Sequence, residues 1–431
     1  MPKVPPLPPN PPPVVVGFSV RALAEATAAH SNHPIAVDRF ADYDCRRTAH
    51  ASIELNQWGG GLGLDWHVLS QLKAAGAQAN SLLLLGGGTE NWPELVELLQ
   101  QHFTVLGPSV EQLHQLRSPE YWQTCAFEAG VGFPETHWNV AGLWNVAELA
   151  KSFGRPTGPL RESDEAVAGH IEDWLMKPRH SAGGHAIKRA KSLQSNPHSI
   201  QESHYWQRKI RGRSLGVYCV LGADGQVELL GATESLSAEH WPGPSEFIYR
   251  GSLGPICLTE TQRQKIIRLC QVIHATCQCR GWLQLDFVED AAGELWLLEL
   301  NPRWAAGMEI LFLAGINPVA NHCRAWHRTS DPAIAQTNSA SLASSGPSFA
   351  KGIVYADRDL TLTPQCIDSL HGLPRASFAD LPSHCTAAKE QSSRTVARGE
   401  PLLTVRASGP QESLLEQMLL LHQTALQLCH S

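Results

Sequence analysis

The sequence predicts a mixed α/β and α+β protein: an N-terminal α/β domain, a larger domain carrying a polar-faced hairpin, and a small C-terminal β-containing portion. Three observations carry this reading. Strand-sized apolar runs alternate with helical patterns over residues 14 to 109. Residues 281 to 304, GWLQLDFVEDAAGELWLLELNPRW, read as an antiparallel hairpin around a turn at Gly293. Beyond residue 326, KGIVYA and RGEPLLTVRASG are strand-like and SLLEQMLLLHQTALQL is helical with a broad apolar face. The expected divisions are a proline-rich tail at 1–13, an α/β substrate-side domain at 14–109, a ligand-binding domain at 110–325 and an appended portion at 326–431.

The elements follow in order. Val14, Val15 and Val16 form a buried-strand pattern ending at Gly17, and an alanine-rich helix follows Arg21. Only one glycine stands where a dinucleotide fingerprint has several, which excludes that cofactor. Ser19 and Arg21 either contact substrate or serve as a helix cap and a structural charge. Val37 and Asp38 end a second strand, with Asp38 in turn chemistry. WGGGLGLDW, residues 58 to 66, reads as a loop without the spacing of a Walker A motif. SLLLL then enters Gly86-Gly87-Gly88-Thr89-Glu90, a crest expected on the substrate side, before the helical PELVELLQQHF and the strand-like TVLG. One helix is predicted from Glu111 through Glu128, and another in ESDEAVAGHIED.

Trp174 to Pro178 reads as a strand with Lys177 near its end. The following Arg179-His180-Ser181-Ala182-Gly183-Gly184-His185 reads as a flap. Small residues there let backbone amides approach a phosphate while Lys177 supplies a cation; an ordinary turn is the plain alternative. His180 and His185 either bind substrate or are surface-loop residues. HYWQRKIRGRSLGVYCVL, 204 to 221, gives two strands turning at Gly212. Glu246 to Pro255 is predicted as a strand leading to a substrate-facing loop. Thr259 to Cys279 is predicted as a helix behind the hairpin, and AAGMEILFLAGINP as a helix ending near Gly315 or Pro318. SLASSGPS, around 341 to 348, reads as a linker.

Composition narrows the partners. The 431 residues are 43% hydrophobic, enough for two or three domains with cores of their own. The longest apolar runs are strand-sized, against the roughly 20 residues of a spanning helix. With 34 basic against 41 acidic residues the net charge is −7, and no basic stripe marks a nucleic-acid footprint. The 11 cysteines offer only the Cys277-x-Cys279 pair and no metal quartet. MPKVPPLPPNPPP has neither a secretory core nor an arginine-rich amphipathic pattern, so the expected location is the cytoplasm.

The hairpin concentrates the chemistry. Gln284 and Asp286 alternate with Leu283, Leu285 and Phe287, and Leu297, Glu299 and Asn301 share one parity on the return strand. Two carboxylates and an amide at the end of paired apolar strands suit a hard cation, since Mg2+ prefers oxygen ligands and bridges them to phosphate. Arg303 extends the polar face with a planar fork for phosphate or an anionic intermediate. The alternative is a solvated hairpin whose acids face water.

This acid on one strand, followed by acid-x-Asn-x-Arg on the next, resembles the metal-binding end of ATP-grasp ligases. Lys177 and the flap resemble the lysine and glycine-rich loop of the same family. The resemblance implies a pre-ATP-grasp α/β domain, then an ATP-grasp fold, then a small C-terminal β-containing portion like that of biotin-carboxylase-like members. It implies ATP and Mg2+ (or Mn2+) as cofactors, with Asp286, Glu299 and Asn301 holding the metal. Lys177, Ser181, Gly183 and Gly184 would hold phosphates, Gln207, Lys209 and Ile210 would surround adenine, and Lys177 and Arg303 would be catalytic. Two departures stand out. Many relatives have a phosphate-contacting lysine where this chain has Arg117-Ser118-Pro119, and Arg208 occupies a place where an acid is common.

The activity so implied is ADP-forming ligation of a small-molecule carboxylate to an amine through an acyl phosphate, in a chain expected to form a homodimer. The GFSVRALAEA opening is similar to carboligase-related proteins and the group containing tyramine-glutamate ligases, which points to biosynthesis of a one-carbon-carrier cofactor. Two alternatives remain: an ATP-dependent carboxylase using bicarbonate, and a catalytically weak nucleotide-dependent binding protein.

Overall fold

The three valines of β1 (Val14–Val16) are fully buried because both faces of their sheet are covered. The computed structural model describes residues 11–55, 61–138, 173–180, 183–190, 204–326, 347–384 and 393–430. β1 pairs in parallel with β2 (Ile35–Asp38) and β4 (Leu82–Leu85), and β3 (Ala51–Glu54) and β5 (Thr104–Leu106) flank them in the order β3-β2-β1-β4-β5. Val14 and Val16 join Ile35, Val37, Leu83 and Leu85 in the domain's own core. Val15, on the opposite parity, packs in a cluster with Trp282, Trp304 and Met308 from the middle of the chain. Sequence alternation of period two thus decides which residues build the domain and which dock it.

The N-terminal strand, turn and helix expectations hold, with helices at Arg21–His30 and Pro93–His102. The loop expected at 58–66 is a correction: a helix runs Gly61–Ala74. Its apolar Val68, Leu69 and Leu72 are buried at helical spacing, so packing overrides the poor intrinsic propensity of the glycines. The glycines that matter for close approach lie elsewhere. A Cβ on Gly17 would come within 2.9 Å of the Gly86 Cα, so the ends of β1 and β4 are neighbours.

The single helix expected at Glu111 to Glu128 is two, Val110–Leu116 and Pro119–Ala129. Pro119 lacks an amide hydrogen and suits the first turn of a helix, while the Ser118 hydroxyl caps that helix by accepting from the Tyr121 amide at 3.3 Å. The break leaves Arg117 at the junction.

The next strands are β6 (Thr136–His137), β7 (Trp174–Pro178), β8 (Lys188–Arg189) and β9 (His204–Arg208), antiparallel in the order β6-β9-β7-β8. An eight-stranded sheet follows in the order β14-β13-β10-β11-β12-β15-β19-β17. Its members are β10 (Arg213–Leu221), β11 (Val227–Ser235), β12 (Gly251–Gly254), β13 (Gly281–Glu289), β14 (Leu295–Asn301), β15 (Ser348–Tyr355), β17 (Phe378–Ala379) and β19 (Pro401–Gly409), while β16 (Leu360–Leu362) pairs only with β18 (Arg394–Val396) among the described residues. The division expected at 325 and 326 therefore falls between elements that share one sheet.

Of the strand predicted at Glu246 to Pro255, only β12 forms, because the Arg250 guanidinium binds the carbonyls of Glu246 and Ile248 and folds that stretch into turns. The helix Glu260–Cys277 packs behind the hairpin as expected, with Ile266, Leu269 and Ile273 against Leu283, Leu285 and Leu297. The helix read into AAGMEILFLAGINP is shorter, Met308–Leu313, and a second helix, Pro318–Trp326, follows. The terminal helix pattern is borne out at Gln411–His430. The helix expected in ESDEAVAGHIED and most of the SLASSGPS linker lie outside the described residues, as does most of the proline-rich tail. Among the described residues no helix is long and apolar enough to cross a membrane.

His322 ties the first domain to the large sheet. Its ring stacks on Trp282 at 3.8 Å; Nδ1 accepts from the Trp282 amide at 3.0 Å and Nε2–H donates to the Leu106 carbonyl at 3.0 Å. Burial pushes its pKa down to about 3. A depressed histidine contributes stability that is complete above its unfolded pKa of about 6.5 and is lost as pH falls toward 3. Between pH 7.5 and 5, wild type should lose about 2 kcal/mol relative to His322→Gln, read from urea midpoints. An identical difference at both pH values would refute the assignment.

Candidate functional site

The hairpin of β13 and β14 sets Gln284 opposite Asn301 and Asp286 opposite Glu299. A register shift follows, since Phe287 pairs with Leu297, which leaves Leu298 as the extra residue of a bulge. This corrects the simple parity read from the sequence. Leu297 faces the core with Leu300, while Glu299 and Asn301 lie on the polar side because the bulge changes the alternation between them.

On that side the contacts are dense. Asp286 accepts from Gln284 Nε2 at 2.8 Å and from Asn301 Nδ2 at 3.1 Å. Burial and the Glu299 charge push the Asp286 pKa up to about 7, against the pull of Arg303 and Lys177. Arg117, at the helix break, donates through Nη1 to Glu299 Oε1 at 2.6 Å and to Asn301 Oδ1 at 3.0 Å. Asn301 thus spends its oxygen on Arg117 and its amide on Asp286.

Arg303 is held in turn by the N-terminal domain. Its Nε and Nη2 donate to Glu90 Oε1 at 3.0 and 2.8 Å, and Nη1 donates to Gln284 Oε1 at 2.8 Å. Glu90 is buried, yet the charges of Arg303 and Arg117 outweigh its desolvation and keep its carboxyl below the usual range. The Gly88 amide donates to its second oxygen at 2.6 Å, so the glycine crest presents an acid to the hairpin.

β7 supplies Lys177, whose Nζ donates to Gln207 Oε1 on β9 at 3.1 Å and lies 5.6 Å from the Tyr205 ring centre. Gln207 is buried and also donates to Thr136 Oγ1 at 3.2 Å. Lys209 is paired with Glu246 at 2.9 Å, and Ile210 is half-buried beside it. Arg208 points away from this inner row, exposed and 3.9 Å from Glu135. Gly183 and Gly184 adopt left-handed φ angles of 63° and 79°, and a Cβ on Gly184 would sit 1.8 Å from the Phe247 carbonyl oxygen. These glycines therefore dock the flap on the 247–249 segment, where the Tyr249 amide donates to the Gly183 carbonyl at 3.0 Å. Ser181 lies outside the described residues. Arg179 pairs with Glu120 at 2.6 Å, and burial followed by the Arg117 charge lowers the His180 pKa.

The structure thus joins Asp286, Glu299, Asn301 and Arg303 in one contact network and sets Lys177 within electrostatic reach of Asp286. It engages Lys209 with Glu246. Sequence reasoning missed Glu90 as a partner of Arg303; its signal was one acid in an otherwise glycine-rich crest.

Residues 147–307 match the family model described as "ATP-grasp domain". The chain carries an ATP-grasp domain. A D-alanine–D-alanine ligase of Alkalilimnicola ehrlichii is 29% identical over 174 residues, 38% of this chain; the match spans 54% of that relative, about half its length. Solved structures share the fold across almost all of the chain. The biotin carboxylase of Campylobacter jejuni aligns with TM-score 0.63 at 14% identity, covering 96% of this chain and 90% of the other. The biotin carboxylase domain of the Hydrogenobacter thermophilus 2-oxoglutarate carboxylase, solved with MgADP, ADP and bicarbonate, gives 0.61 at 13%, covering 96% and 89%. An N5-carboxyaminoimidazole synthase from Aspergillus clavatus, in complex with ADP and 5-aminoimidazole ribonucleotide, gives 0.60 at 12%, covering 97% and 99%. In the ATP-grasp domain, β13 and β14 carry the paired acids and β7 the lysine.

Proposed function

We propose that this protein is an ATP-dependent, ADP-forming ligase that activates a small-molecule carboxylate as an acyl phosphate and joins it to an amine. The observation that carries the reading is the opposition of Asp286 and Glu299 on adjacent strands, with Lys177 near enough to bias the Asp286 charge. Two carboxylates crowded together, one raised to about pKa 7 by burial and its neighbour, form a donor set that a divalent cation relieves. Mg2+ or Mn2+ fits these oxygens, with Asn301 contributing its carbonyl oxygen when released from Arg117. Bound there, the metal would neutralise phosphate charge and orient the γ-phosphoryl group.

The chain's own groups supply the remainder. Lys177 would place its ammonium against nucleotide phosphate oxygens, and the backbone amides around Gly183 and Gly184 would cover them. Gln207, with Lys209 and Ile210 following it, would line the adenine side. Arg117 and Arg303, oriented by Glu299 and Glu90, would stabilise the anionic transferring group. In the reaction the γ-phosphoryl group passes to a carboxylate oxygen and ADP leaves; the amine nitrogen then attacks the acyl carbon, phosphate departs and the nitrogen loses a proton.

A second reading takes bicarbonate as the activated carboxylate. It is favoured by the near full-length likeness to carboxylating structures, one of them solved with ADP and bicarbonate. The first reading, amide formation, is the one that goes with a substrate related to that of tyramine-glutamate ligases and with one-carbon-carrier biosynthesis. The test presents glutamate, other carboxylates and bicarbonate with tyramine and other amines, following ADP and product mass together. ADP formed in step with an amide supports the first reading, and a carboxylated amine supports the second. Nucleotide binding without phosphoryl transfer across the panel would reject both in favour of a binding protein.

A further inference from the structure

A second cluster of metal-ligating side chains lies where the C-terminal portion meets the N-terminal domain. The helix Pro364–His371 carries Asp368 and His371 three residues apart, hence on one face. The chain beyond β17 brings His384 beside them. One ligand atom from each of the three lies within 4.8 Å of the other two. His384 Nε2 is 2.9 Å from Asp368 Oδ1, and the two imidazoles meet edge to face with centres 5.3 Å apart.

The hydrogen bonds determine where the lone pairs are. A carbonyl only accepts, so His371 Nε2–H donates to the Pro382 carbonyl at 2.8 Å and leaves Nδ1 with the lone pair. This ring orientation by a backbone carbonyl is the usual outer-shell arrangement of a metal-binding histidine. By the same logic His384 Nε2–H points at Asp368 at 2.9 Å; an ion seated between the two takes the place of that proton, so His384 offers the Nε2 edge that faces Asp368 while the imidazole proton moves to Nδ1.

The segment bearing His384 is already ordered by the first domain. The Tyr43 amide donates to the Leu381 carbonyl at 2.9 Å, the Leu381 amide donates to Asp44 at 3.0 Å, and the Ser383 hydroxyl donates to the Ala41 carbonyl at 2.8 Å. His371 stacks on Tyr43 at 3.6 Å and 10°. The neighbouring cations, Arg375 and Arg47, lie over the Tyr43 ring at 5.1 and 5.7 Å from its centre. Asp368 faces solvent, so an ion has a way in.

We propose that Asp368, His371 and His384 form a binding site for a divalent transition-metal ion of the zinc class, separate from the site on the hairpin. Two imidazoles and one carboxylate select such an ion over Mg2+, which prefers oxygen, and they leave a fourth position for water. The ion joins the helix Pro364–His371 to the 381–384 segment. Through the Tyr43 stack it fastens the C-terminal portion to the first domain.

The test strips the full-length protein with a chelator and then titrates it with Zn2+, or with Co2+ as a visible-absorption probe, in excess Mg2+. The expected result is one tightly bound equivalent, four-coordinate Co2+ bands and a raised thermal midpoint. His384→Gln, in a partly exposed segment, and His371→Phe, which retains an aromatic ring on Tyr43, are each expected to lose at least tenfold in Zn2+ affinity. Asp286→Asn is expected to keep the equivalent. Absence of stoichiometric binding in wild type would overturn the proposal, as would undiminished binding in both histidine variants, which would place the ion elsewhere.

Discussion

Asp286→Asn is expected to lower ATP-dependent ADP formation by about 10²- to 10³-fold or more while leaving the protein folded. The two consequences separate because Asp286 does two things. Its charge faces Glu299 and makes a cation favourable at the end of the hairpin, whereas its shape accepts hydrogen bonds from Gln284 and Asn301. Asparagine keeps one acceptor and removes the like-charge crowding, so metal-free stability should stay within about 1 kcal/mol of wild type. The readout is thermal unfolding with and without MgADP beside turnover. Wild type should be stabilised by MgADP and the variant much less so. A variant that keeps both turnover and metal-dependent stabilisation would remove Asp286 from the proposed metal set.

Much of this site was legible in the sequence because strands write their faces in alternation. Asp286, Glu299, Asn301 and Arg303 could be set on one polar side from spacing alone, and Lys177 could be set at a strand end before a glycine-rich flap. The bulge at Leu298 was not legible, because an extra residue in one strand is a property of the pairing and not of either strand. Nor was the partner of Arg303. Glu90 lies 213 positions away, and only the docking of the N-terminal crest on the hairpin brings them together. The same limit explains the helix at Gly61–Ala74: its glycines argue for a loop locally, and the core that receives Val68, Leu69 and Leu72 decides otherwise. Arg117 is the intermediate case. The sequence marks it only through the family resemblance, as an arginine at a position expected to hold a phosphate-contacting lysine, and its bonds to Glu299 and Asn301 depend on the helix break at Pro119.

Glu309→Ala is expected to destabilise the protein by roughly 3–5 kcal/mol. Glu309 is fully buried on the helix Met308–Leu313, which begins just after the span 147–307 that matches the ATP-grasp domain. Its carboxylate binds Arg21 of the N-terminal domain at 3.0 Å, Lys351 of β15 at 2.8 Å and Arg406 of β19 at 3.2 Å. Arg21 is itself shared with Asp380 at 2.9 and 3.0 Å. One carboxylate therefore joins three separate stretches of chain, and removing it leaves buried cations facing one another. Desolvation alone would raise its pKa, but Arg21, then Lys351 and Arg406, hold it well below the usual carboxylate range. A depressed carboxylate contributes stability that is present above its unfolded pKa and lost as pH falls through the folded one. The wild-type advantage over Glu309→Ala should therefore be full at pH 7 and shrink only below about pH 4.5, as the unfolded chain begins to take up protons that the native state refuses. Urea unfolding of both proteins across pH 3.5 to 7 checks this. An advantage that does not shrink with acid would mean that the loss reflects packing and not the charge of Glu309.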